Sequence, residues 1–185
     1  MKMLVLLAPL LLVGCETNDK IKRGDWELEG TTSLARREND FSDLNAAELD
    51  VLLNTAITSG FQLGPVLVFE ASDQDSRGGE DIDSIAYLFG PNFRFNLPGK
   101  ESLVPFVDAA VGTYYLDADV RLGDGTRFKG DDSGLFFQGG VGCRFFVSER
   151  AAISLALRYR HIDISSDLGG SEDLYGFFGG LSVLF

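Results

Sequence analysis

AAISLALRYRHIDISSDLGGSEDLYGFFGGLSVLF, residues 151–185, decides how the rest of the chain is read. Its odd positions carry Ile153, Leu155, Leu157, Tyr159, His161 and Asp163; its even positions carry Ala152, Ser154, Ala156, Arg158, Arg160 and Ile162. This is period two, the mark of a strand lying between two environments. After SSDLGGS the pattern returns. Asp173, Tyr175, Phe177, Leu181, Val183 and Phe185 share one face, while Leu174, Gly176, Phe178, Gly180, Ser182 and Leu184 share the other. A soluble strand buries its apolar face and wets its charged one. A strand of a transmembrane barrel turns the apolar face to lipid and the polar face to the lumen.

The same alternation recurs upstream. Trp26, Leu28, Gly30, Thr32 and Leu34 alternate with Glu27, Glu29, Thr31 and Ser33 in a first strand. Leu49, Val51, Leu53, Thr55 and Ile57 form one face of a second. Leu63, Pro65, Leu67 and Phe69 oppose Gln62, Gly64, Val66, Val68 and Glu70 in a third, where Pro65 is an awkward strand residue. Ile85, Tyr87, Phe89, Phe93 and Phe95 mark a fourth outer face, with Arg94 inward. Leu103, Val107, Ala109, Val111 and Tyr115 mark a fifth, with Asp108 inward; Leu135, Phe137, Val141, Cys143, Phe145 and Val147 mark a sixth, with Gln138 and Arg144 inward.

Short turns at 59–60, 97–100 and 148–150 alternate with longer expected loops near 36–45, 72–81, 119–132 and 165–171. Eight antiparallel strands with short periplasmic turns and longer external loops have this rhythm. The expected fold is therefore all-β, an eight-stranded antiparallel transmembrane β-barrel over residues 25–185. The competing fold is a soluble sandwich or lipocalin-like barrel. Against it stand Arg94, Arg144, Arg158 and Arg160 on inward faces beside Glu27, Glu29, Glu70 and Asp108, a set too costly for an apolar core. A strand ending on the aromatic Phe185 resembles the closing strand of outer-membrane barrels, in which that residue belongs to the signal read by the insertion machinery.

The start of the chain points to the same compartment. Residues 1–14 read as a signal peptide: a short basic stretch, then an apolar run from Leu4 to Val13 too short to span a bilayer as a helix. Leu12-Val13-Gly14-Cys15 resembles the lipobox of bacterial lipoproteins, making Cys15 a candidate lipidation site; an ordinary cleaved signal with an incidental Cys15 is the alternative. Residues 15–24 read as a polar tether. No later apolar run is long enough for a membrane helix. A net charge of -12 argues against nucleic-acid binding. With Cys15 set apart, Cys143 stands alone, so no disulfide framework is expected. No Cys-x-x-Cys, histidine pair or phosphate-binding glycine loop occurs, so no cofactor or metal is implied. Glycines on strands (Gly112, Gly139, Gly140, Gly142, Gly179 and Gly180) are expected to relieve crowding and allow curvature rather than bind a ligand.

The one histidine, His161, falls on the lipid-facing side at the external end of its strand. Pairing the last two strands about their turn places Asp173 and Tyr175 beside Asp163 and His161. Two readings stand: a base oriented by a carboxylate toward a lipid ester, or a polar girdle at headgroup depth.

Residues from about 102 to 185 also resemble the lipid A 3-O-deacylase (acyloxyacyl hydrolase-like) family of outer-membrane barrels. The matching stretches are SLVPFVDAAVGTYY, GTRF, FFQGGVGCRFFVSERAAISLALRYRHI and LSVLF. The resemblance implies an ester hydrolase acting on lipid A or lipopolysaccharide, without a cofactor. Its base would be His161, with Asp173 (or Glu172 in another register) as the orienting acid. The family's serine follows its histidine by two residues; that position here is Asp163, leaving Ser165 as the nearby hydroxyl. The different reading is a non-catalytic structural or adhesion-type small barrel whose rim meets headgroups and whose loops meet partners.

Overall fold

Alternation is carried through the whole chain as strand after strand. The computed structural model describes residues 20–38, 42–76, 81–99, 102–164 and 170–185. Signal peptide, Cys15 and Ser165 lie outside these residues. The strands are β1 (Trp26–Glu38), β2 (Ser42–Thr58), β3 (Phe61–Ser76), β4 (Asp81–Asn96), β5 (Leu103–Arg121), β6 (Arg127–Phe146), β7 (Ala151–Ile164) and β8 (Gly170–Leu184). Each pairs antiparallel with the next and β8 returns to β1, closing a barrel. Trp26 and Phe185 exchange two backbone hydrogen bonds of 2.9 Å at the closure.

Burial assigns the two faces. On β7, Ile153, Leu155 and Leu157 are 43–52% exposed, while Ser154 and Arg158 on the alternate face are 0% and 2%. An outside of aliphatic side chains around an inside of arginines is the membrane arrangement, not the soluble one. Aromatics girdle this outside at two levels: Trp26, Phe61, Phe95, Phe145 and Phe185 at the short-turn end; Phe69, Tyr87, Tyr115, Tyr159 and Tyr175 toward the other. Tyr87 and Phe95 are eight residues apart and Tyr175 and Phe185 ten. At about 3.3 Å per residue and ~40° of tilt the belts stand roughly 20–26 Å apart, the height of an outer-membrane apolar band.

Among the described residues, three of the expected external loops, 36–45, 72–81 and 119–132, are largely strand, while 165–169 of the fourth lie outside the described residues. The β5–β6 ladder runs unbroken from Leu103–Phe145 to Arg121–Arg127, and the chain reverses within Leu122–Thr126, where Gly125 takes φ +85°. The ribbon thus occupies most of 119–132. β1–β2 and β3–β4 likewise extend to Glu38–Asp43 and Asp75–Asp81. Above the bilayer the outward face meets water, so its apolar residues give way to charged ones such as Asp117, Arg121, Lys129 and Asp131 while the backbone ladder continues.

Pro65 sits in β3 opposite Pro91 of β4. Each falls where the ladder on its other side is interrupted: β2–β3 pairing skips from Leu52–Val66 to Thr55–Leu63, and β4–β5 from Phe89–Thr113 to Asn92–Ala110. A residue without an N–H is tolerated where no ladder bond is required of it.

The tether does more than connect. Ile21 is fully buried with Ala56, Val104, Phe146, Ala152 and Leu184, closing the short-turn end. Gly24 N–H donates to the Ala56 carbonyl and Ala56 N–H to that of Asp25, both at 2.8 Å. Residues 20–24 therefore belong to the folded unit rather than to a free leader.

Seven strand pairs are zipped over 13–19 residue pairs. The β1–β8 seam is shorter, joining Glu27–Thr32 to Gly179–Leu184 over six. Of the strand glycines, Gly112, Gly140, Gly142 and Gly180 do sit in close quarters, and a Cβ on Gly180 would stand 2.7 Å from Thr31 Cα. Gly139 meets nothing within 4 Å and Gly179 only Leu155 at 3.8 Å, so crowding does not account for these two.

Candidate functional site

The lumen is filled by ion pairs that begin as alternate residues on separate strands. Arg94 on β4 donates to both carboxylate oxygens of Glu29, at 2.6 and 3.1 Å, and to Asp108 at 3.1 Å. Its guanidinium lies over the Phe106 ring, 4.2 Å from the centroid. Arg144 donates to Glu27 and Asn96, and Gln62 donates to Glu27 at 2.7 Å. Arg158 reaches Asp50, Thr31 at 2.8 Å and Asp108 at 3.3 Å. Arg160 donates to Glu48 and to Gln138, and stands 3.6 Å from Glu70.

All four arginines and all four acids expected inside are inside. Asp50 and Glu48 join them; the signal was present, since Glu48, Asp50, Leu52, Asn54 and Ala56 alternate with the outward residues of β2. The lumen is not wholly polar. Leu52, Val66, Val68, Leu88, Tyr114, Phe136 and Ile162 form an apolar cluster beside the network. Side chains fill the interior, as expected of so small a barrel.

The second constellation lies outside, at the upper end of β7 and β8. Register sets His161 opposite Asp173, Tyr159 opposite Tyr175 and Asp163 opposite Ser171. His161 Nδ1 is 2.8 Å from Asp173 Oδ1, and Tyr159 OH donates to the same oxygen at 2.8 Å. An ionised carboxylate only accepts, so the ring nitrogen facing it, Nδ1, carries a proton. The Tyr159 and Tyr175 rings are 4.9 Å apart. The His161 and Asp173 side chains are 34% and 55% exposed. Asp173 is thus the acid beside His161. Asp163 is exposed and lies two residues along the same face. Among the described residues no hydroxyl is hydrogen-bonded to His161. Ser171, which sequence reasoning passed over, is diagonal to it, because the register that brings it there involves two strands.

A third feature is a cavity of about 260 Å³ between the upper part of β8 and the lumen, with Ser33, Ala46, Glu48, Gln138, Arg160 and Phe178 among its lining. Among the described residues no group of three metal-ligating side chains forms, and Cys143 is free.

No protein-family model and no curated protein matches the chain. Solved structures do. Neisserial surface protein A (NspA) superposes with a TM-score of 0.59 at 12% identity, covering 88% of this chain and 100% of its own. Ail, the attachment invasion locus protein of Yersinia pestis, gives 0.53 at 16%, covering 88% and 99%; it has also been solved with the heparin analogue sucrose octasulfate. The outer membrane protein OprG of Pseudomonas aeruginosa gives 0.50 at 13%, covering 92% and 99%. At these identities the likeness is one of fold. With the apolar exterior and charged lumen it places the protein in a class: it is a small eight-stranded β-barrel of the bacterial outer membrane.

Proposed function

We propose that the protein is a non-catalytic surface barrel whose rim engages the headgroups of outer-leaflet glycolipid, such as lipid A or lipopolysaccharide. The observation supporting this is how the rim carboxylate is used. Asp173 Oδ1 accepts from both Tyr159 and His161 and ties two strands into a girdle, while the position two residues beyond His161 carries a carboxylate, Asp163, in place of a hydroxyl. Such a girdle suits headgroup depth, where a side chain with an apolar body and a polar tip meets both phases.

The ribbons above it are acidic. Asp73 pairs with Asp83, Asp83 with Asp119, and Asp117 with Asp131. Like charges set opposite one another repel, and together they disfavour a polyanion such as the heparin analogue seen with Ail. Partners that meet these ribbons, above the headgroup girdle, would therefore be cationic.

Ester hydrolysis is the second reading, carried by the resemblance to lipid A deacylases and by the 2.8 Å His161–Asp173 pair, which is the orientation a base requires. Mass spectrometry of lipid A from cells overexpressing the protein or its His161→Ala variant separates the two. Unchanged lipid A, with the protein folded in the outer membrane, supports the girdle. Loss of an acyl chain that depends on His161 overturns it, and Ser165→Ala and Ser171→Ala would then locate the hydroxyl.

A further inference from the structure

β1 and β8 part company above Thr32. Among the described residues their ladder stops at Thr32–Gly179. Yet β1 continues beside β2 to Glu38, and β8 runs beside β7 from Gly170. One more step of the same register would bring Ser33 against Phe178. Instead, two strand edges face each other without joining. In hydrocarbon an open edge is costly, because no water satisfies its N–H and C=O groups. Tyr175 belongs to the upper aromatic belt, so Gly176–Phe178 lie just below it, at the depth of outer-leaflet acyl chains.

The cavity of about 260 Å³ lies directly behind this seam. Leu174, Phe177 and Phe178 supply its apolar lining from β8, and Glu48, Gln138 and Arg160 its polar lining from β2, β6 and β7. Arg160 is 3% exposed, and its Nη1 makes no hydrogen bond, Glu70 Oε2 standing 3.6 Å from it, beyond hydrogen-bond reach. A buried donor left unsatisfied is costly, more so on a charged group, so an oxygen placed there is favoured. The two arginines are already outnumbered by acids: Arg158 and Arg160 face Glu48, Asp50 and Glu70. An anion would add an uncompensated charge, whereas a neutral oxygen would not.

We propose that the β1–β8 seam and the cavity behind it form a lateral binding site for a neutral single-chain amphiphile. Its hydroxyl or carbonyl oxygen accepts from Arg160 Nη1, and its alkyl tail passes between the strand edges into the outer leaflet. This site is separate from the His161 rim and stands whether or not the rim reading does.

The test uses the full chain folded in phosphatidylcholine bilayers and a photoreactive twelve-carbon alcohol carrying a diazirine. Cross-linked peptides are mapped by mass spectrometry. Expected is saturable labelling within 174–178, competed by 1-dodecanol at least tenfold better than by dodecanoate or dodecane. Ala46→Trp, which fills the cavity, should reduce it at least tenfold in protein that still migrates as a folded barrel. If that variant does not fold, Gly176→Leu serves, because a Cβ there meets the Phe178 ring at 2.9 Å. Labelling spread evenly over the outer band, unsaturable and indifferent to both fillers, is annular lipid and overturns the site. Ser33→Cys with Phe178→Cys, in a background lacking Cys15 and Cys143, closes the seam on oxidation. Labelling lost on oxidation and regained on reduction supports the lateral route; labelling undiminished by closure overturns it.

Discussion

The lumen and the rim are both built from acid–base pairs, yet the two regions respond differently to the loss of one partner. In the lumen Arg94 and Glu29 are each 0% exposed and bound by two hydrogen bonds. At the rim the same kind of contact, His161 with Asp173, stands half in solvent. Buried charge cannot fall back on water when its partner goes, whereas exposed charge can. The lumenal network therefore governs whether the barrel stands, and the rim is free to serve contact with lipid.

The largest break is expected from Arg94→Met, which leaves Glu29 and Asp108 buried without their main cation. It should cost about 3–5 kcal/mol in urea unfolding from bilayers. Adding Glu29→Gln should recover part of that; no recovery would mean that Arg94 acts chiefly by packing on Phe106. Ile21→Ala should cost about 2 kcal/mol, the low end for deleting a buried aliphatic chain, because the segment is anchored from one side. Faster proteolysis at residues 20–24 would accompany it. Gly180→Val drives a side chain into Thr31 on the shortest ladder, an overpacking cost of about 1–3 kcal/mol. Hydrogen exchange should then rise along Glu27–Thr32 before any other strand. The smallest effect belongs to His161→Ala, with an unchanged unfolding midpoint. A large shift there would erase the contrast between lumen and rim.

Period two was legible wherever one face met lipid and the other the lumen. Residues 151–163 announced which side chains point in, and the inward arginines made a soluble core untenable. The ribbon at 119–132 was not legible as strand, because its outward positions, Asp117, Asp119, Lys129 and Asp131, carry charge where the strands below carry apolar side chains, so the lipid-facing stripe that marks the other strands is lost. Ile21 was equally hidden: one aliphatic residue among polar neighbours has no periodicity, and its burial depends on Ala56, Val104 and Leu184 from distant strands. The rim was half visible. His161 and Asp173 were brought together by counting back from their turn, whereas the Tyr159 hydrogen bond to the same oxygen and the place of Ser171 opposite Asp163 required the register itself.

By itself, then, the order of residues determined the strand count, the inside and outside of each strand and the charged filling of the lumen, since each is a local consequence of side chains alternating across a pleat. Only the tertiary structure decided which acid meets which arginine, how far each ladder climbs above the bilayer and where the β1–β8 seam stops. Those depend on the mutual register and closure of strands far apart in the chain, and no local pattern encodes the hydrogen bonds one strand makes to another.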